Sequence, residues 1–347
     1  MMATVLGSKR HTVDDTADAI EYCFQQGWSD GLPVVPPTEA RVRRMLEAVG
    51  LAPDHQVGYI EHRAVAITAE KVAINAVMAG CLPEYMPVVV AAVEGISDPR
   101  WSYHGPGTST GGAGVLLIVN GPVARALDIN AGDNLFGPGW RSNLTIGRAL
   151  RLVMRNVCGS RPGTLDRGTV GHPGKLSYVI AENEAESPWT PLHVERGFRP
   201  DQSAVTVLAA SGPHQFYNQL SNTAEGVLTT LADDMRISGT TMGQPHYAIV
   251  LAGEHMRTIA KDGWGKKEIR EFLFEHTKNS HAHLKSTHRM SGPIRPGDET
   301  VMRPLVESPD DILVVAAGGR AGAFSAYIPG WGSKRSSEAV TVEIRRR

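Results

Sequence analysis

Three apolar runs in the C-terminal third end in small-residue turns that carry a polar side chain. Ala204–Ala210 leads into Ser211-Gly212-Pro213-His214, residues 247–252 into Gly253-Glu254-His255, and residues 312–317 into Gly318-Gly319-Arg320. Open α/β sheets bind ligands beyond the carboxyl ends of their strands. The dipole at a helix start disfavours a charged imidazole, which suits a general base. His255 is therefore a candidate for proton transfer, and His214 and Arg320 for holding substrate, provided the three strands are neighbours. The bland alternative is that each side chain fills its own turn.

Other groupings compete. The turn Gly171-His172-Pro173-Gly174-Lys175 offers an imidazole, a cation and a backbone open to close approach, although it is not a P-loop. Glu182, with Asn183, Glu184, His193 and Glu195 nearby in sequence, could act as acid and base or bind a divalent metal. His281 and His283, with His276 and His288 on either side, are further metal candidates. Arg148, Arg151 and Arg155 recur at helical spacing and could hold a carboxylate or phosphate, or simply form ion pairs. The glycine-rich residues 105–114 could cradle an anion, but the nearest strand follows them, against the order of a dinucleotide fingerprint.

These groups need elements to place them. Helices are expected over 16–26, 38–49, 69–79 (capped by Thr68 and closed by Gly80), 143–157, 266–276, and from an Asn222/Glu225 capping box to Met235. Strands are expected over 115–119, 176–181, 204–210, 247–252 and 312–317. Their alternation points to an α/β fold: mixed, mostly parallel sheets with flanking helices, in two closely packed α/β lobes. The expected division is an N-terminal helical arm (1–50), a first lobe with a long irregular segment (51–200) and a second lobe (201–347). Pro33, Pro36 and Pro37 keep the arm extended near 28–38, where it could wrap a neighbouring subunit of a homo-oligomer or pack on its own lobe.

Bulk properties narrow the function. A formal charge of -1 on 347 residues gives no global field for nucleic acid or anionic membrane. Three scattered cysteines argue against a disulfide framework and fit a reducing, cytoplasmic setting. No basic-then-apolar leader opens the chain, and the apolar runs are too short to span a bilayer.

Several stretches together resemble a bacterial family associated with the UGSC-type (seleno)protein group. They are Asp30-Gly31-Leu32-Pro33-Val34-Val35-Pro36-Pro37-Thr38-Glu39, residues 75–85 from Asn75 to Tyr85, Gly171–Lys175 as a turn, and Glu254-His255 followed by Lys261-Asp262-Gly263-Trp264. The resemblance implies thiol chemistry at a Cys-Gly-Ser-Cys motif. This chain has Cys158-Gly159-Ser160-Arg161, with arginine in place of the second thiol, which puts a two-thiol cycle in doubt. The resemblance also draws Lys71, Asn75, Glu84, His172, Lys175 and His255 into the candidate set.

The leading expectation is an enzyme, lyase- or hydrolase-like, using acid–base chemistry on a small anionic or carbonyl-containing substrate. His255 or His172 would move a proton, and Glu84 or Glu182 would orient it. Lys175, Lys71, Asn75, Arg148, Arg155, His214 and Arg320 would hold the substrate. The alternatives are a metalloenzyme with a divalent metal, a thiol-dependent redox protein and a non-catalytic binding protein.

Overall fold

The computed structural model describes residues 5–238 and 243–345. Its strands are β1 (Gln56–Ile60), β2 (Val65–Thr68), β3 (Gly114–Asn120), β4 (Val179–Ala181), β5 (Ala204–Ala210), β6 (His214–Tyr217), β7 (Tyr247–Leu251), β8 (Asn279–Ser280), β9 (Met302–Arg303), β10 (Ile312–Ala316), β11 (Phe324–Pro329) and β12 (Val340–Glu343). β1 and β2 form a hairpin, and β8 and β9 a short ladder. The other strands make two four-stranded sheets, in the orders β12-β5-β3-β4 and β10-β7-β11-β6.

The α/β class with mixed sheets and flanking helices is as the sequence implies, but the sense of the ladders differs from the parallel majority expected. Only β3/β4 and β7/β10 are parallel within these two sheets; β3/β5, β5/β12, β7/β11 and β6/β11 are antiparallel. Three of the antiparallel ladders involve β6, β11 and β12, which sequence reading missed; the fourth, β3/β5, joins two expected strands whose relative sense no local pattern states. β6 and β12 are four-residue strands, one exposed except at Phe216 and the other half-buried, and β11 is interrupted by Ser325 and ends in Pro329, so none shows the continuous apolar run that marks a doubly buried strand.

The two sheets repeat one plan: a parallel pair at one edge, then two antiparallel ladders. Each half of the chain also passes its last strand to the other sheet. β5 sits in the first sheet and the next strand, β6, in the second; β11 sits in the second and β12 returns to the first. The sheets therefore do not divide the chain at residue 200.

Side-chain alternation explains the layering. On β3, Leu116 and Ile118 pack with Val250, Leu313, Val315 and Ile328 of the second sheet, so the inner faces of the sheets meet. Val115, Leu117 and Val119 point outward, onto the helices Ala69–Ala79, Met86–Ser97 and Arg141–Asn156. The outer face of the second sheet is covered by Ala224–Ser238, Gly253–Lys261 and Lys266–His276. The result is four layers: helices, sheet, sheet, helices.

Helix ends follow local chemistry. Thr68 caps Ala69–Ala79 through its bond from the Lys71 N–H, and Gly80 closes it at φ 89°, a left-handed conformation that glycine adopts without strain. The expected capping box at Asn222 is displaced: Ala224 N–H donates to the Asp262 carboxylate at 2.7 Å, and Gly226 N–H to Thr223 Oγ1 at 3.2 Å. Among the described residues, no helix is long and apolar enough to cross a membrane.

Candidate functional site

The N-terminal segment packs on its own lobe and is pinned there by the arginine face of helix Arg141–Asn156. Arg148 grips Asp30 with two bonds of 2.8 Å and donates to the carbonyls of Leu32 and Pro33. Arg155 Nε donates to Gly27 O at 3.3 Å, and Asn156 Nδ2 to Trp28 O at 2.9 Å. Val35 N–H reaches Met78 O at 3.1 Å, and Pro33, Pro36 and Pro37 hold the intervening chain extended. Arg148 and Arg155, expected to bind substrate, bind the protein's own chain instead. Arg151 is likewise taken, by Asp166 at 3.3 Å.

Upstream of helix Thr16–Gln25, residues 5–13 run across the lobe. The Glu70 carboxylate anchors them by accepting the N–H groups of Gly7 and Ser8, each at 2.8 Å. Burial pushes the Glu70 carboxyl up, but the bonds from Ser8 and Gly7 and the charge of Lys71 outweigh it and hold it below its ordinary value.

Beneath this arm lies a cavity of ≈ 660 Å³, a size typical of small-molecule sites. Val42, Ile74 and Val157 supply apolar wall. His11, Tyr22 and Trp28 form an aromatic cluster, with ring centroids 5.2–5.9 Å apart. Tyr22 Oη lies 2.7 Å from His11 Nδ1. Lys9, Lys71 and Arg161 also line the space. None of these three cations pairs with a carboxylate among the described residues; Lys71 Nζ donates only to Ser8 Oγ, at 3.2 Å.

A line of polar groups crosses the floor. Asn75 Nδ2 donates to Lys71 O at 2.9 Å, and Asn156 Nδ2 to Asn75 Oδ1 at 2.8 Å. Asn156 reaches Trp28, and the adjacent Gly27 lies against the Arg161 guanidinium. Lys71 and Asn75 are the sequence candidates that the structure brings into this cavity. His11, Tyr22, Trp28, Lys9, Asn156 and Arg161 were not singled out as ligand-binding residues: Tyr22 and Asn156 lie on expected helices and Arg161 only replaces the second thiol of a motif, and nothing local to any of the six marks a shared cavity.

The remaining candidates do not converge. His255 is buried, with Nδ1 at 2.8 Å from Ser325 Oγ, Nε2 at 3.1 Å from Asn218 O and its ring stacked on Phe216. Burial lowers its pKa, so it is a neutral, fully bonded core histidine. His214 is exposed and stacks on Tyr327, while Arg320 pairs with Glu186 at 2.6 Å. β6 and β10 are opposite edges of the second sheet, so His214 and Arg320 share no edge. Glu84 is exposed on a short turn, Pro83–Tyr85.

His172 and Lys175 do lie together, in a glycine-lined corner, but both are engaged. Lys175 Nζ pairs with Asp166 at 2.7 Å. His172 Nε2 accepts the Gly114 N–H at 3.0 Å, and a Cβ at residue 114 would come within 2.8 Å of that ring. The glycines of residues 105–114 serve packing in the same way: a Cβ at Gly105 would strike Trp331 and one at Gly112 would strike Gly171.

The carboxyl ends of β3 and β4, where the general rule places ligands, are filled by a buried ionic network. Lys266 Nζ bonds Glu182 at 2.9 Å and Glu195 at 3.2 Å; Glu195 also pairs with Arg270 at 2.8 Å. Glu182 accepts from Asn120 Nδ2 and Leu192 N–H, each at 2.7 Å. His193 is wholly buried beside Glu184, at 3.7 Å. Glu182 and Glu195 are thus neutralised by Lys266 and Arg270, and the network ties the end of β4 to helix Lys266–His276.

Among the described residues, no three His, Cys, Asp or Glu side chains stand close enough to hold a metal ion. His281 and His283 fall on a short helix, His281–Ser286, rather than in the expected loop, and residues two apart point to different sides of a helix. All three cysteines are buried and unpaired. Burial pushes the Cys158 thiol up to about 11 and Cys81 to about 12, and raises Cys23, which opposes thiolate chemistry in the folded protein.

No protein-family profile matches the chain, and comparison with curated proteins finds no match.

Proposed function

We propose that the protein is an enzyme that carries out acid–base chemistry on a small organic acid held in the cavity beneath the N-terminal arm. The observation that carries this reading is the meeting, in one space, of carboxylate-free cations with a hydrogen-bonded His11–Tyr22 pair. Lys9, Lys71 and Arg161 supply the positive field for an anion, and Trp28 and Tyr22 an aromatic surface for its body. His11 supplies the proton chemistry. With Nδ1–H donated to Tyr22 Oη, Nε2 has a lone pair free to accept a proton from the ligand. Once Nε2 has accepted that proton, the imidazolium, with Nδ1–H still bonded to Tyr22 Oη, can return it to the leaving group. Both directions serve a lyase- or hydrolase-like reaction. The role expected of His255 or His172 passes to His11, and that of Lys175 to Lys71.

The test is a panel of small organic acids, with binding read by calorimetry and thermal shift and consumption read by mass spectrometry. At least one acid should bind and be consumed. His11→Gln should lose turnover by about 10²–10⁴-fold, the usual share of a general acid–base group, while still binding. If an acid binds and is never consumed, the protein is a binder and the enzyme reading falls. If none binds, the site itself is misassigned.

A further inference from the structure

The charges around the cavity do not balance. Among the described residues four cations line it (Lys9, Arg10, Lys71 and Arg161) against two carboxylates, Glu39 and Glu70. Both carboxylates are already committed. Glu39 binds Arg10 at 3.0 Å and Arg43 at 2.6 Å, and Glu70 holds the N–H groups of the arm. The lining therefore carries a surplus of two positive charges. A lining of this charge around a largely apolar space favours a dianion.

The surplus is also divided in space. Lys71 is tied to Ser8, next to Lys9, so these two share one end of the cavity. Arg161 stands beside Gly27, at the far end of the floor that runs from Lys71 through Asn75 and Asn156 to the Gly27-Trp28 backbone. That floor crosses from one helix to another, and no single carboxylate spans it. Among the described residues Arg161 forms no ion pair, and neighbouring Arg155, disfavoured by burial, is lowered further by the charge of Arg161, against the opposing charge of Asp30, which Arg148 already grips. Val42, Ile74, Val157, Tyr22 and Trp28 line the same cavity.

We propose that the ligand is a small diacid, with two acidic groups at opposite ends of an apolar or aromatic body, one held by Lys71 and Lys9 and the other by Arg161. This rests on the reading of the cavity as the ligand site and adds its substrate class. A single-headed dianion such as a phosphate would fit the charge but not its division between two ends.

The experiment titrates the full chain with α,ω-dicarboxylates of increasing length, monocarboxylates of matched length and inorganic phosphate, by calorimetry and thermal shift. Diacids should bind at least about tenfold tighter than the matched monoacids, with an optimum at one length. Arg161→Gln should bring diacid affinity down to the monoacid level while leaving monoacid binding at Lys71 intact. Lys71→Gln should weaken both classes, and Glu84→Gln, remote from the cavity, neither. Equal affinity for monoacids and diacids overturns the diacid proposal alone. So does phosphate binding more tightly than any diacid and indifferent to Arg161→Gln. No response to any acid overturns the site reading as well.

Discussion

Asn156 donates one hydrogen bond to Asn75 across two helices, at 2.8 Å, and from the same nitrogen another to the carbonyl of Trp28, at 2.9 Å. One amide group thus joins the floor of the cavity to the segment that carries its aromatic wall. Asn156→Leu removes both bonds and leaves two acceptors without a donor. The expected loss is about 2 kcal/mol of stability, read by urea denaturation, with weaker binding of any cavity ligand. A variant as stable as the parent, with unchanged tryptophan fluorescence, would show that the joint is dispensable.

The arm should loosen in acid. The Glu70 pKa is lowered in the folded state, so its contribution is present above the unfolded carboxylate value and is lost as pH falls through the folded one. Above about pH 5 the arm should stay attached. Further acidification should release residues 5–13, seen as faster amide exchange there. Glu70→Gln should show that exchange at neutral pH. Exchange that does not change with pH would mean that the Arg10–Glu39 pair and the His11 contacts alone hold the arm.

Lys266 has its ammonium almost fully buried between Glu182 and Glu195. Lys266→Met strips Glu182 of its counter-charge and should cost about 3–5 kcal/mol. Adding Glu182→Gln removes the stranded charge and should recover part of that loss. A double variant no more stable than Lys266→Met would mean the cost comes from packing rather than charge.

The thiols should be inert in the native state. With Cys158 and Cys81 raised by burial to about 11 and about 12, a thiol reagent at pH 8 should label them only on the timescale of unfolding, and all three cysteines at once in denaturant. Rapid labelling of Cys158 in the folded protein would reopen the thiol chemistry that the Cys158-Gly159-Ser160 motif suggests.

Many elements were legible one by one. Ala69–Ala79, Ala204–Ala210 and Lys266–His276 have the bounds their periodicity and caps imply, because a helix stripe and a doubly buried strand are local patterns. The mixed α/β class followed from their alternation. Pairing was not local: β6 and β12 are short strands donated across the sheets, and nothing in His214–Tyr217 or Val340–Glu343 names the partner.

The candidate site divides in the same way. The family resemblance marked Lys71 and Asn75, and residue types alone raised His172, Lys175, Glu182 and the arginine stripe. Whether a charged side chain faces a ligand or an internal partner depends on what the chain brings opposite it. Asp166 for Lys175, Lys266 for Glu182 and Asp30 for Arg148 lie 9, 84 and 118 positions away. The sequence determined the elements and the supply of charge. Only the tertiary structure decided which charges were neutralised and which, at Lys9, Lys71 and Arg161, were left facing an open space, because an ion pair forms by proximity in space and not along the chain.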